Sequence, residues 1–182
     1  SRCYYTFNYW GVLFLAPYKS VNKFQYKKMK LLLIINYFLR KITTHSYSIL
    51  LKNFSTNIRV RYGETDQMGV VYHGNYATYF EVARTEWLRA LGVTYKDMEN
   101  SGIMLPVISL SFNFMKSAMY DDILTVSVSL KKKPMVKIDF DYEIINQNRE
   151  KISTGNSVLA FIDMKTNKPT KCPDYILEKL DL

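Results

Sequence analysis

An α+β fold, with one long helix set against an antiparallel sheet of about five strands, is predicted from three observations. Between Asn75 and Leu91 apolar residues recur at three and four positions, the period of a helix with one buried face. One alternating segment precedes that helix, and four follow it, each with the period of two that marks a half-buried strand. Turn residues punctuate the alternating segments, so helix and strands read as layers around one core.

In order along the chain, Ile58, Val60 and Tyr62 alternate with Arg59 and Arg61, which predicts the first strand. From Asn75 the period changes. Tyr76, Tyr79, Phe80, Ala83, Trp87, Leu88 and Leu91 form an apolar stripe, with Arg84, Glu86 and Arg89 at the more polar positions. Gly92 follows as a C′ residue that stops the helix, and the stripe is read as core and interface. About seventeen residues give a helix of roughly 25 Å, long enough to cross a sheet.

Ile108, Leu110, Phe112 and Phe114 then alternate, followed after Asp121-Asp122 by Leu124, Val126, Val128 and Leu130. After Lys131–Pro134 come Val136, Ile138, Phe140, Tyr142 and Ile144. Asn146–Arg149 is a turn, a strand runs from about Lys151 to Ile162, and Asn167-Lys168-Pro169 breaks the pattern. Tyr175–Leu180 reads as a short final helix. The second strand pattern is unusually apolar, and sheet edges need cover, so self-association is expected.

The 182 residues suit one ordinary domain, and the composition is that of a globular protein. The net charge of +9 suggests nucleic acid until its location is read. Residues 1–53 hold nine Lys or Arg and no acid, while residues 54–182 hold sixteen of each sign. The body from residue 54 is neutral, which argues against nucleic-acid binding by it.

Residues 1–53 read as a separate basic leader, with three readings open: an unstructured or misassigned extension, a targeting or membrane-surface segment, or a folded addition. Met29 has the form of an internal start, and the Met-Lys and LLLIINYFL that it opens resemble a short signal-like core. Leu31–Leu39 is only nine residues, against the ~20 that span a bilayer, and no small-residue cleavage pattern follows it. No integral membrane segment is expected.

Cys3 and Cys172 lie at opposite ends without a disulfide framework, so a reducing, cytoplasmic compartment is the default. His45 and His73 are the only histidines, and no His/Cys cluster has metal spacing. No metal and no cofactor are expected.

The chemistry concentrates in Tyr62–Tyr76, YGETDQMGVVYHGNY. Asp66 follows the first strand pattern, a short apolar loop comes next, and His73-Gly74-Asn75 opens the helix. A carboxylate beside the positive end of a helix can act as nucleophile or base, while backbone N–H groups steady an oxyanion. Without further context Asp66 reads equally as an acid that closes the turn before Gly69. His73 either fills the helix start or contacts substrate. Gly69 and Gly74 serve either the turn or a close backbone approach to substrate. Asn75 is expected to cap the helix through its side chain. Lys131-Lys132-Lys133 reads as a solvated hairpin turn or a contact for an acidic partner.

The same run extended through the helix, YGETDQMGVVYHGNYATYFEVARTEWLRALG, resembles the signature of the hotdog-fold acyl-CoA thioesterases, in the 4-hydroxybenzoyl-CoA thioesterase and YbgC-like branch. The element order and the segment FMKSAMYDD at Phe114–Asp122 are similar as well. The resemblance covers about Thr56 to Leu180. It implies a sheet wrapped around the central helix, paired into homodimers with a continuous sheet or into homotetramers, with the active site at the dimer interface.

For single residues the resemblance implies that Asp66 is the catalytic carboxylate, as nucleophile or general base. The backbone N–H groups near His73 and Gly74 would form the oxyanion hole, with the His73 side chain as a second catalytic candidate. Gly69, Val70, Val71, Tyr72, Gly74 and Asn75 would bind substrate, with Val70, Val71 and Tyr72 lining the acyl or pantetheine channel. Glu81 resembles the catalytic Glu of a different hotdog branch and, with Asp66 in place, reads as structural. The implied substrate is an acyl-CoA or an acyl carrier protein thioester. Two other classes stand beside hydrolysis. A hotdog dehydratase pairs Asp and His around an Asn-Pro that GVVYHGN lacks, and a non-catalytic acyl-CoA-binding module shares the fold.

Overall fold

In a computed structural model of the chain, the described residues are 4–7, 13–16, 30–37, 39 and 53–180. The chain divides into two compact units, 1–44 and 45–182. In the first, Tyr4–Phe7 pairs antiparallel with Leu13–Ala16, and residues 30–37 are helical with Leu31 to Ile35 exposed. What was expected of the rest of the leader lies outside the described residues. No helix among the described residues is long and apolar enough to cross a membrane.

The second unit carries the α+β architecture. Its main sheet contains β1 (Asn53–Arg59), β3 (Val107–Phe114), β4 (Ile123–Leu130), β5 (Lys137–Ile145) and β6 (Lys151–Ala160). All pairings are antiparallel, in the order β1-β4-β5-β6-β3. A smaller sheet joins β2 (Ile103–Met104), β7 (Ile162–Asp163) and β8 (Lys168–Pro169). The helices are α1 (Asn75–Ala90), α2 (Tyr95–Asn100) and α3 (Asp174–Lys179).

The pairing puts the alternating apolar positions in register. Phe54, Val128, Tyr142, Gly155 and Phe112 form one row across the sheet, and Thr56, Val126, Ile144, Ser153 and Phe114 form the next. Helix α1 covers this face with Tyr76, Tyr79, Phe80, Ala83, Trp87 and Leu88, all buried. The Phe80 ring stacks on Tyr142 at 4.0 Å and on Phe112 at 5.0 Å, and Trp87 meets Phe140 edge-on at 5.0 Å.

The helix ends where Gly92 predicts. Gly92 has φ +70, its N–H donates to the Arg89 carbonyl, and the Val93 N–H donates to that of Leu88. These two bonds make a Schellman motif, which satisfies carbonyls that the last turn leaves open.

Four details differ from expectation. The first strand lies earlier, at Asn53–Arg59, and Tyr62–Glu64 is a 3-10 turn, because the chain bends away from the sheet after Val60. Arg84 is buried rather than solvated. Its Nε donates to the Tyr95 hydroxyl at 3.2 Å and its Nη2 to Glu81 at 3.1 Å, so the cation enters the core with partners. Helix α2, absent from the periodicity reading, is started by a capping box in which Thr94 and Asp97 bond each other's backbone N–H. The last long strand stops at Ala160: the buried Phe161 still donates to the Val136 carbonyl beside β5, but its own carbonyl accepts the Thr170 N–H and the next residues join the smaller sheet.

One edge stands apart. Among the described residues strand β3 pairs only with β6, and Val107, Ile108, Leu110 and Phe114 on it are exposed. The lysine turn 131–133 is solvated, with Lys131 3.9 Å from Asp141 and Lys132 3.9 Å from Asp139, both on β5.

Candidate active site

After β1 the chain folds into a small closed loop before the helix. Thr65 pairs with Val71 in a single antiparallel bridge. The Asp66 N–H donates to the Val70 carbonyl and the Tyr72 N–H to that of Glu64, both at 2.9 Å. The loop tip turns at Gly69, whose φ of +77 suits a residue without Cβ. A segment after β3 seats the loop from outside, through a Val70–Met119 bridge and the Val71 N–H donating to the Ala118 carbonyl at 2.8 Å.

Asp66 begins the tip. Its Oδ1 accepts the Met68 N–H at 2.9 Å, and its backbone carbonyl accepts the Gly69 N–H at 2.9 Å. The carboxylate therefore closes the turn, as the structural reading of this residue expects. Its Oδ2 has no hydrogen-bond partner among the described residues, and Asp66 is half-buried. One oxygen is fixed by the turn and the other is open.

His73 and Gly74 connect the loop to the helix. Asn75 and Tyr76 donate their N–H groups back to the Tyr72 and His73 carbonyls at 2.9 and 3.3 Å. The N–H groups of His73 and Gly74 themselves have no acceptor among the described residues. They lie at the positive end of a 16-residue helix. The His73 side chain is exposed, its ring 4.3 Å from that of Tyr72. Tyr72 in turn lies over Gly74, where a Cβ would come within 2.6 Å of the tyrosine ring.

The two valines face opposite ways. Val70 is half-buried, whereas Val71 is 5% exposed within the core. Both are expected to line a channel; Val71 bridges to Thr65 and packs inward, whereas Val70 bridges to Met119. The side-chain helix cap expected of Asn75 is not formed. Gly74 takes the N-cap position, there is no side-chain cap bond, and the Asn75 Nδ2 donates instead to the Glu64 carbonyl at 2.7 Å. Met68, Tyr72 and Met119 stand exposed around the loop.

Glu64 is the residue that periodicity overlooks. Its carboxylate accepts the Arg61 N–H at 2.8 Å and the buried Tyr79 hydroxyl at 2.9 Å. Burial first, and then this carboxylate, push the Tyr79 hydroxyl well above its ordinary range. The signal was the acid two residues before Asp66, on the same arm of the loop. Glu81 keeps its side chain 66% exposed and pairs with Arg84.

Among the described residues no group of three or more His, Cys, Asp or Glu is placed to hold a metal ion. A cleft of about 420 Å³ lies on the outer, polar face of the sheet, with Asn53, Asn113, Asp141 and Asn156 among its walls. None of residues 62–76 lines it.

A sequence model of the Thioesterase-like superfamily matches residues 60–180. The putative acyl-CoA thioesterase YneP of Bacillus subtilis is 36% identical over 112 residues, 62% of this chain and 81% of its own. The acyl-CoA thioesterase YbgC of Haemophilus influenzae is 32% identical over 124 residues, 68% of this chain and 90% of its own. Among solved structures, a DHNA-CoA thioesterase from Staphylococcus aureus superposes with a TM-score of 0.66 at 40% identity. That superposition covers 71% of this chain and 91% of the other.

Proposed function

The chain belongs to the thioesterase-like superfamily of hotdog-fold thioester hydrolases, and from that premise we propose that it hydrolyses an acyl-CoA to the free acid and coenzyme A through Asp66. The observation that carries this reading is local. An open carboxylate oxygen on Asp66 shares a small loop with two unpaired N–H groups, on His73 and Gly74, at a helix start.

The chemistry follows from those groups. The thioester carbonyl oxygen accepts the His73 and Gly74 N–H groups, which stabilise the negative charge that builds as the carbonyl carbon is attacked. The Asp66 oxygen either attacks that carbon or takes a proton from a water that does. In the first route the C–S bond breaks to leave a mixed anhydride, which a water hydrolyses. In the second, the hydroxide oxygen forms the new C–O bond directly. Both routes end in one carboxylic acid and one thiol. An unperturbed cysteine-type thiol ionises near pH ~8.5, so a thiolate leaves without a strong general acid. The His73 side chain borders the leaving group or the acyl carbonyl. Gly69, Val70, Tyr72, Gly74 and Asn75 shape the opening around it.

The exposed edge of β3 joins two protomers into a continuous sheet, and a second such pairing makes a tetramer. This arrangement supplies the missing wall of a site that one protomer leaves open. The reaction belongs in a reducing, cytoplasmic compartment, consistent with the buried free thiol of Cys172.

DHNA-CoA is the first substrate to try, because the 40% identical Staphylococcus aureus protein is described by that activity and three exposed tyrosines, Tyr62, Tyr72 and Tyr120, lie on or beside the loop. The test is a panel of acetyl-, palmitoyl-, benzoyl- and DHNA-CoA with an acyl carrier protein thioester, followed by thiol release. Turnover of at least one member, lost in Asp66→Asn, is the expected result. No turnover by the parent turns the reading toward a non-catalytic binding module. A carrier-protein thioester as best substrate moves it to that class. In single turnover in ¹⁸O-water, label in the carboxylate of Asp66 establishes the anhydride route with water attacking the Asp66 carbonyl, whereas label only in the product acid is expected of the general-base route and of an anhydride opened at the acyl carbonyl.

A further inference from the structure

Glu64 accepts four hydrogen bonds, two at its carboxylate and two at its carbonyl. The carboxylate takes the Arg61 N–H and the Tyr79 hydroxyl; the carbonyl takes the Tyr72 N–H and the Asn75 Nδ2. The donors come from the end of the strand connection, the last residue of the loop and the first two turns of α1. Tyr72 and Asn75 flank His73 and Gly74 directly. The pair with unpaired N–H groups is thus held on both sides by one peptide carbonyl, and that peptide is anchored in turn by its own side chain. The Glu64 side chain is 17% exposed and Tyr79 1%, so the anchor is shielded from water.

We infer that Glu64, locked by the Tyr79 hydroxyl, is a positioning residue that aims the His73 and Gly74 N–H groups at the thioester oxygen. The inference rests on the proposed thioesterase reading and adds to it the part that sets the geometry. A hydrogen bond of the oxyanion type gains its strength in the transition state and depends steeply on placement, so a small rotation of this turn lowers turnover more than binding. Asp66 does not depend on this anchor in the same way, because its turn closes on Met68 and Gly69. The elevated proton affinity of the Tyr79 hydroxyl keeps it a donor to Glu64 across the working pH range.

The experiment measures kcat and KM for the full chain and for Glu64→Ala, Glu64→Gln and Tyr79→Phe. It uses the panel member with the highest kcat/KM, at a temperature well below each variant's unfolding midpoint. Glu64→Ala and Tyr79→Phe are expected to lose about tenfold to a hundredfold in kcat with KM within about twofold. Glu64→Gln keeps an oxygen for Tyr79 and Arg61, and is expected to recover most of that loss. Tyr79→Phe removes a single oxygen and keeps the ring in the core, so it answers the question if Glu64→Ala fails to fold.

A parental kcat in folded Tyr79→Phe, with only the unfolding midpoint lowered, assigns Glu64 a purely structural role and overturns the inference. Activity lost in Asp66→Asn but kept in Tyr79→Phe does the same while leaving the active-site reading intact. Full activity in Asp66→Asn overturns that reading instead, and this inference with it.

Discussion

Phe80 lies where Gly155 has no side chain. A Cβ on Gly155 would stand 2.6 Å from Cε2 of the Phe80 ring and 2.2 Å from the Ser111 carbonyl oxygen on the neighbouring strand. The absent methyl lets the ring settle between Tyr142 and Phe112, which are the lateral neighbours of Gly155 in the sheet. One glycine in β6 thereby sets how closely α1 approaches the sheet, and α1 carries the candidate active-site turn at its first residue.

Gly155→Ala is expected to destabilise the fold by about 1–3 kcal/mol, the usual cost of overpacking, because neither the Ser111 backbone nor the stacked ring can give way freely. Phe80→Ala is expected to cost more, about 3–5 kcal/mol, through the cavity it opens. Denaturant unfolding of both variants checks the pair. A neutral Gly155→Ala would show that the helix rides on the sheet with slack.

Asp66→Asn is expected to lower kcat/KM for the best acyl-CoA by at least about a hundredfold, while the unfolding midpoint stays near that of the parent. Asparagine retains an oxygen for the Met68 N–H, so the turn survives and only the anionic oxygen is lost. A large drop in midpoint with full activity would reverse the roles assigned to the two oxygens.

The apolar edge of β3 offers a direct test of assembly. Ile108→Lys, placed on a strand whose side chains are exposed, is expected to shift the protein toward monomer in sedimentation velocity. On the proposed assembly, in which each site takes a wall from its partner, activity per chain should fall together with the dimer fraction. Full activity in a monomeric variant would place the whole site within one chain.

High pH should unfold the protein sooner than its composition alone suggests. Burial pushes the Tyr142 hydroxyl and the Cys172 thiol each up to about 12, from ordinary values of 10.0 and 9.0. Between those values and about 12 the unfolded chain releases protons that the folded chain retains, so stability falls as pH rises. Below about pH 9 this contribution is complete and flat. The unfolding midpoint, followed by circular dichroism from about pH 7 to about 12, should decline above about pH 9–10. Tyr142→Phe should start lower, because Ser157 loses its 2.8 Å partner, and then decline less steeply. An unchanged slope in that variant would mean Tyr142 is not among the groups responsible.

Much of this molecule is legible in the order of its residues, and the legible parts share a cause. The buried stripe of α1, the Gly92 stop and the Asn146–Arg149 turn depend on residues within a few positions of one another, where rotamers, capping and backbone sterics act directly. The turn, for instance, is closed by Asn146 Oδ1 accepting the Asn148 and Glu150 N–H groups. The Asp66 loop is visible for the same reason, as an acid, a glycine and a helix start in close succession.

Other residues take their roles from distant partners, and there local pattern misleads. Asn75 has the chemistry of a helix cap, yet its amide bonds a carbonyl eleven residues upstream, because the loop folds back and brings Glu64 to the helix start. Arg84 has the chemistry of a solvated face, yet Tyr95 follows from beyond the helix end and supplies its acceptor inside the core. Val71 differs from Val70 in its distant partner, Thr65 for one and Met119 for the other.

By itself, then, the order of residues determined the period of each segment, where the helix stops, the neutrality of the body and the grouping of an acid with a helix start. Among the described residues, the tertiary structure decided which carboxylate oxygen stays open, which two N–H groups remain unpaired, which valine packs inward and which strand edge is left bare. The physical reason is that propensity and periodicity act over a few neighbouring residues. The pairing of polar groups is settled only when segments far apart in the chain compete for the same donors and acceptors.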